Sequence, residues 1–198
     1  MAGIAHSSTA TGDVVLAAAR LMLADGGVRG LTIEGVAART GIAKTTIYRR
    51  YRSKQELALA VVRQMTTEVV AVDQGGNTRE RLIVVLDRAI TLLRTTVMGK
   101  VMQGLVSDIA TDPELATAFR REVVALRLAR IRQIVQDGAA AGELKPETDA
   151  DLLHELLFGP VYHRLLLTGG ELNTALAERI VDSVLPAYLL QPPLPGRQ

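Results

Sequence analysis

The sequence predicts an all-α fold, with nine helices arranged in two domains. Of its 198 residues, 48% are apolar but only 3% are aromatic and none is Trp, so Ala, Leu and Val must supply most of the core. Apolar residues recur at helical spacing, as at Leu82, Leu86, Ile90 and Leu93. Glycine pairs and prolines separate such segments, and no stretch shows the strict alternation of a half-buried strand.

Composition also limits the function classes. A chain of this length suits one or two domains with a sizeable core. The absence of Cys excludes disulfides, thiolate chemistry and cysteine metal sites, and it fits a reducing compartment. No apolar run approaches the roughly 18 residues of a membrane span, and the N-terminus does not resemble a secretory signal. We therefore expect a cytoplasmic protein with no membrane segment.

The N-terminal region is expected to be an arm followed by a helix. Residues 1–12 are small and polar, which predicts a mobile arm. An amphipathic helix should run from Asp13 to about Asp25 and end at Gly26-Gly27. Its inward stripe is Val15, Ala19 and Leu23.

Two short helices meeting at a tight turn are predicted next. Thr32 is a good N-cap for a helix over Ile33–Thr40, because its hydroxyl can accept from a free amide. Gly41 lies where that helix needs a left-handed exit. Ile42 and Ile47 should hold the second helix against the first. This is the build of a helix-turn-helix, whose second helix enters the major groove of DNA.

The second helix carries a polar, cationic face. Six cations and no acid lie between Arg39 and Lys54. Residues 1–54 hold eight Lys and Arg against three Asp and Glu, which leaves fifteen basic and eighteen acidic residues in the remainder of the chain. The asymmetry favours a nucleic-acid face joined to a body that does not touch nucleic acid. The alternative is an ordinary solvated face.

A third helix should begin immediately afterwards and continue to about Val72. Ser53 and Glu56 have the spacing of a capping box, in which each satisfies a free backbone amide of the other. Lys54 then lies in the first turn, where a cation opposes the helix dipole. A bound phosphate at that helix start would explain the lysine.

These residues resemble a known family. The segment Gly41-Ile-Ala-Lys-Thr-Thr-Ile-Tyr48, followed by Tyr51, Ser53, Lys54 and Leu57, resembles the N-terminal signature of the TetR family of bacterial transcriptional regulators. The close match covers roughly Asp13 to Leu59. Two positions depart from the family pattern, since Arg50 stands where His is frequent and Tyr51 where Phe is usual.

The resemblance implies a role for each residue of the face. It implies that phosphates are held by Thr32, Tyr48, Arg50 and Lys54. It implies that base edges are faced by Lys44, Thr45 and Arg49, with Thr46 able to do either. Arg and Lys suit guanine acceptors, and Thr can touch a thymine methyl. Glu34 either accepts from a cytosine amine or acts as a dipole partner, while Ile47 and Tyr51 are expected in the core.

The remaining chain is predicted to form helices that sense an effector and pair two subunits. The first three run from Thr78 to Val97, from about Lys100 to Ala110 and from Pro113 to about Ala141. The last two end at about Thr168 and at about Leu185. Predicted N-caps are Asp112 before Pro113, Thr148 with Asp151, and Asn173. The predicted ranges are 13–52 for the DNA-binding domain, 53–190 for the effector and dimerisation domain, and 191–198 for a loose tail.

Candidate effector residues are spread over this region. His154, Phe158 and Tyr162 share one helix face, which is core, dimer seam or pocket wall; Pro160 should kink the same helix. His163 falls on the opposite face from His154, so the two imidazoles cannot share a metal. Met98, Met102 and Phe119 are core or pocket residues. The arginines from Arg120 to Arg132 are expected to be mainly solvated, with Arg127 a candidate for contact with an acidic effector.

The sequence thus predicts a transcriptional regulator, most simply a repressor, that binds a palindromic double-stranded operator as a homodimer. Helices at 149–168 and 174–185 would pair with their copies, and a small-molecule effector would release the DNA. No cofactor, metal or catalytic residue is predicted, because no acid–base or nucleophile set converges. The alternatives are a non-specific architectural DNA binder and, with less support, an enzyme.

Overall fold

A computed structural model describes the backbone of residues 3–70 and 75–190 and the side chains of residues 11–67 and 75–190. Its helices are α1 (Gly3–Gly30), α2 (Ile33–Thr40), α3 (Lys44–Arg50), α4 (Lys54–Val70), α5 (Thr78–Thr95), α6 (Met98–Thr111), α7 (Pro113–Phe119), α8 (Ala125–Ala140), α9 (Ala150–His163) and α10 (Ala175–Val184). A π-helical segment, Arg120–Val124, joins α7 to α8, and a second, Arg164–Thr168, continues α9. With α7 and α8 counted as one helix, the described ranges hold nine, and the predicted all-α fold is confirmed.

The first helix differs from its predicted bounds. It begins at Gly3 instead of Asp13 and reaches Gly30, with a break at Gly27, whose φ of 61° is left-handed. No proline lies between Gly3 and Asp13, so every amide in the arm can donate a helical hydrogen bond. The predicted mobility of residues 1–12 stays a prediction, and the predicted tail at 191–198 lies outside the described residues.

Two compact units divide the chain. The first comprises Met1–Glu68 and Leu92–Val124, and in it α1 packs on α2 and α6, α2 on α3, and α6 on α7. Helices α1 and α6 approach closely at Gly104, where a Cβ would lie 3.0 Å from Cγ2 of Val28. Fully buried side chains of this unit include Leu23, Leu31, Ile47, Leu57 and Leu105.

The second unit comprises Val69–Thr91 and Ala125–Gln198, and in it α9 packs on α8 and α10. Leu82, Leu86 and Ile90 are buried, as their spacing predicts. Arg79 makes exposed ion pairs with Glu178 and Asp182 at 2.8 and 2.7 Å. Each predicted domain, 13–52 and 53–190, is one continuous stretch of the chain, whereas each compact unit combines two stretches. The predicted domain ranges stay predictions.

The predicted helix starts are partly correct. Asp112 accepts from the amides of Glu114 and Leu115 at 3.0 Å, as expected before Pro113. Asp149, not Thr148, caps α9, because its carboxylate accepts from two amides at 2.9 and 3.1 Å. Asn173 does not cap α10; within the described ranges its Oδ1 is buried without a hydrogen-bond partner.

No helix in the described ranges combines the length and the apolar content that crossing a bilayer requires.

Candidate nucleic-acid interface and buried cationic cluster

The turn between α2 and α3 has the predicted geometry. Thr32 is extended, and its hydroxyl accepts from the Gly35 amide at 3.0 Å. Gly41 is left-handed, with φ of 72°, and its amide donates to the Ala37 carbonyl at 2.9 Å. Close packing also favours glycine at position 35, since a Cβ there would lie 2.9 Å from the Thr32 hydroxyl oxygen. The turn therefore sets the direction of α3 through local hydrogen bonds.

Helix α3 keeps its apolar side in the core and presents its polar side to solvent. Ile47 is 1% exposed and Tyr51 is 8% exposed, so the core prediction for both is confirmed. Burial raises the pKa of the Tyr51 phenol. Tyr48 is 45% exposed and Thr46 is half-buried. The other exposed side chains of the predicted face are Lys44, Thr45, Arg49 and Arg50.

Several cations near this face have carboxylate partners within the chain. Lys44 lies 3.4 Å from Glu34, Arg39 lies 3.5 Å from Asp25, and Arg52 lies 3.1 Å from Glu56. The pKa of Glu34 is lowered by a backbone hydrogen bond and by Lys44. Exposed pairs of this kind are worth up to about 1 kcal/mol. A DNA phosphate can therefore replace these carboxylates at little cost.

Two arginines of α3 have different surroundings. Within the side chains that the structure describes, the guanidinium of Arg49 has no hydrogen-bond or ion-pair partner. The guanidinium of Arg50 lies over Gly12, where a Cβ would be 2.7 Å from Cζ. Arg49 can reach a base edge without breaking an existing contact.

The start of α4 follows half of the predicted capping box. The Ser53 hydroxyl accepts from the Glu56 amide at 3.1 Å. The Glu56 carboxylate, however, accepts from the Arg52 amide at 2.7 Å. A capping box requires it to accept from the amide of the next residue, Ser53. The same carboxylate pairs with the Arg52 guanidinium, and this second contact favours the shifted position. Lys54 is half-buried in the first turn of α4.

Glu122 connects α4 to the π-helical segment Arg120–Val124, a contact that sequence reasoning missed. Its carboxylate lies 4.0 Å from the Arg63 guanidinium and 2.7 Å from that of Arg121. An open groove of about 1130 Å³ lies beside this contact, with a lining that includes Arg49, Arg52 and Arg121. The groove is polar because both arginines and carboxylates contribute to its lining.

A second cluster lies in the second unit, around Arg127. This side chain is 5% exposed, so the expectation that it is mainly solvated is wrong. Its guanidinium donates to the Tyr162 hydroxyl and lies 5.5 Å from the ring centre of Phe158 and 5.9 Å from that of Tyr162. His154 stacks obliquely on Phe158 at 4.8 Å. Burial, and next the Arg127 charge, lower the pKa of His154.

The other effector candidates lie in the first unit. Met98 and Met102 are 0% and 3% exposed, which fits the core alternative, and Phe119 is half-buried at the end of α7. In the second unit, His163 is exposed whereas His154 is half-buried, as opposite helix faces require. Over the described ranges, no three His, Asp or Glu side chains form a group that could hold a metal ion.

Two short helices joined at a left-handed glycine, the second anchored by a buried isoleucine and with exposed cations, form the arrangement of the helix-turn-helix class of DNA-binding proteins. The chain belongs to the TetR family. The family model described as bacterial regulatory proteins, tetR family, matches residues 15–61. The model described as tetracyclin repressor-like, C-terminal domain, matches residues 72–184. The chain is therefore a DNA-binding transcriptional regulator.

Known relatives support this assignment over most of the chain. The DNA-binding transcriptional repressor TetR of Mycobacteroides abscessus is 29% identical over 188 residues, 92% of this chain and 95% of the relative. The uncharacterized HTH-type transcriptional regulator YdeS of Bacillus subtilis is 26% identical over 173 residues, 86% of each chain. These relatives are transcriptional regulators, not enzymes.

Solved structures share the fold. The crystal structure of the TetR family transcription regulator SCO0332 has a TM-score of 0.77 and 30% identity, with 88% of this chain and 96% of that chain covered. The transcriptional regulator FadR from Bacillus subtilis, in complex with stearoyl-CoA, has a TM-score of 0.70 and 18% identity over 87% and 96% of the two chains. At that identity the second likeness concerns the fold alone.

Proposed function

We propose that this regulator is a repressor that binds a palindromic operator as a homodimer and leaves it when a small-molecule effector binds. The exposed polar face of α3 is the observation that carries the proposal, because Ile47 anchors the helix while Tyr48 and Arg49 stay in solvent. As a protein that acts on the chromosome, it would work in the cytoplasm.

The proposed DNA contacts divide into two groups. Thr32, Tyr48, Arg50 and Lys54 hold phosphates and set the position of α3 on the duplex. Lys44, Thr45 and Arg49 meet base edges, and Thr46, which is half-buried on the same helix, can contact either a base or a phosphate. Phosphate contacts supply affinity and salt dependence, whereas base contacts supply sequence preference.

The proposed dimer uses the helices at 149–168 and 174–185. Leu152 and Leu156 lie one turn apart on α9 and are 45% and 41% exposed, and Leu167 on its continuation is 77% exposed. Exposed leucines in succession along one helix favour a protein partner. A second copy would cover them in a four-helix bundle. One helix-turn-helix reads few base pairs, so two copies on a two-fold site are needed for useful affinity.

The proposed response to an effector is a population shift. Binding among the helices that follow α4 would favour one orientation of α4. In that orientation the distance between the α3 helices of the two subunits would not match the operator. The stearoyl-CoA complex of Bacillus subtilis FadR motivates an effector for this chain as well.

Selection from a pool of randomised duplexes tests the proposal. The full chain should enrich an inverted repeat, protect it from nuclease digestion, and sediment as a dimer. Enrichment of no sequence, with binding at low salt, would instead support the non-specific architectural alternative. Failure to bind any duplex at low salt would contradict the DNA-binding role itself.

A further inference from the structure

Arg127 is a buried cation whose charge has no counter-ion in the described structure. The side chain is 5% exposed, and among the described residues its guanidinium meets the Tyr162 hydroxyl and two aromatic faces but no carboxylate. A guanidinium cannot lose its proton under ordinary conditions. Buried charges are normally paired, because removing a charge from water is costly. An anion from outside the chain would complete this site.

The His154 imidazole, which lies in the same cluster as the Arg127 guanidinium, supplies a second polar group that lacks a partner. Its Nε2 is buried and, in the part of the chain that the structure describes, has no hydrogen-bond partner. Buried polar atoms without partners are rare in folded proteins. His154, Phe158 and Tyr162 succeed one another at one-turn spacing on α9, so this imidazole and the Tyr162 hydroxyl lie on the face that meets Arg127.

The backbone beside the cluster departs from regular α-helix. Pro160 stands inside α9, and the π-helical segment Arg164–Thr168 begins two residues after Tyr162. Such π segments occur frequently at functional sites. His154 and Tyr162 are half-buried, so the cluster can be approached from their side.

We propose that Arg127, His154 and Tyr162 bind the carboxylate of an effector whose apolar body packs against aromatic rings such as Phe158. The proposal rests on the effector response proposed above and names the chemical class of that effector. A carboxylate fits because Arg binds it through two parallel hydrogen bonds. The imidazole is neutral, so the site carries the single positive charge of the guanidinium, which balances the single negative charge of a carboxylate. A phosphate monoester, with a charge of about −1.5 to −2, would carry more negative charge than the site can balance.

Thermal denaturation and calorimetry of the full chain with matched probes test the proposal without DNA. The probes are hexanoate, octanoate, benzoate and phenylacetate, each compared with its primary amide. At least one carboxylate should raise Tm and bind about ten- to hundredfold more tightly than its amide, the range of a charge-assisted hydrogen bond. Absence of any difference between carboxylates and amides overturns the proposal.

Two substitutions separate a binding role from a structural one. Arg127→Met keeps an apolar side chain of similar length, so it should abolish the carboxylate preference while leaving Tm unchanged or higher. Tyr162→Phe removes one hydroxyl and should weaken carboxylate binding several-fold. Arg132→Met, an exposed site on the same helix, is the matched control and should keep the preference. A large fall in Tm for Arg127→Met with undiminished carboxylate binding would show that Arg127 is a structural residue.

The final step connects the site to the regulator. The carboxylate that binds most tightly should release the selected duplex from the wild-type chain but not from Arg127→Met. If the chain binds no duplex, the proposed function fails while carboxylate binding can still be measured. If the chain binds its duplex but no carboxylate, only the present inference fails.

Discussion

The cations of the helix-turn-helix and the cation of the second unit differ in what surrounds them. Lys44 and Arg52 lie at the surface beside carboxylates, and Arg49 extends into solvent. Arg127 is enclosed by aromatic rings and a phenol. Exposed cations can exchange weak partners for a polyanion, whereas an enclosed cation can only take a small anion. The comparison separates two kinds of recognition within one chain.

Removal of the buried anchor of α3 should have the largest effect. Ile47→Ala deletes a side chain that is 1% exposed, and we expect a loss of about 2–5 kcal/mol in the free energy of unfolding. Urea denaturation measures it, and DNA affinity should fall as well. Thr45→Ala, an exposed change on the same helix, should leave stability within about 0.5 kcal/mol. Equal stability of the two variants would contradict the packing of α3.

Arg49 and Lys54 should differ in the kind of DNA binding that they support. Arg49→Ala should cost about 1–3 kcal/mol on the selected duplex and relax sequence preference. Lys54→Ala should weaken all duplexes alike and reduce the salt slope by about one unit per subunit. Fluorescence anisotropy on the selected and a scrambled duplex measures both effects. If the two variants behave identically, the division into base and phosphate contacts is wrong.

The N-cap of α2 should contribute a smaller amount. Thr32→Ala removes the hydroxyl that accepts from the Gly35 amide, and we expect a loss of about 1 kcal/mol. Thr32→Ser keeps the hydroxyl and should retain most of the stability. Chemical denaturation of the two variants compares them directly. A Thr32→Ser variant as unstable as Thr32→Ala would show that the methyl group, not the cap, matters.

The smallest effect concerns pH and the buried cluster. Burial lowers the pKa of His154 below its ordinary value of 6.5, so the folded chain keeps the imidazole neutral where the unfolded chain protonates it. The unfolded state then binds more protons, and this contribution to stability is complete above pH 6.5 and decreases as the pH falls through the lowered pKa. His154→Leu should flatten that dependence, while His163→Gln should not. A profile unchanged in His154→Leu would contradict the assignment.

Several helix ends, including those of the helix-turn-helix, could be predicted from neighbouring residues alone. The cap at Thr32, the left-handed Gly41 and the cap at Asp112 each depend on a few neighbouring residues, and all three are observed. Predictions from local spacing were wrong where two groups compete for one partner. The Glu56 carboxylate accepts from the Arg52 amide and not from the Ser53 amide, and Asp149 caps α9 in place of Thr148.

Features that depend on tertiary contacts could not be predicted from the sequence. Nothing near Arg127 in the chain distinguishes it from Arg132, which is exposed and paired with Asp151 at 2.6 Å. Its burial comes from Phe158 and Tyr162, more than thirty residues away. The two π-helical segments likewise have no sequence signature.

The salt dependence of binding to the selected duplex tests the DNA-binding account most directly. If Arg50 and Lys54 of two subunits contact phosphates, log Kd should rise with log salt concentration with a slope of about four, and a scrambled duplex should bind much more weakly. A slope near zero, or equal affinity for both duplexes, would contradict the claim that the exposed cations around α3 read DNA.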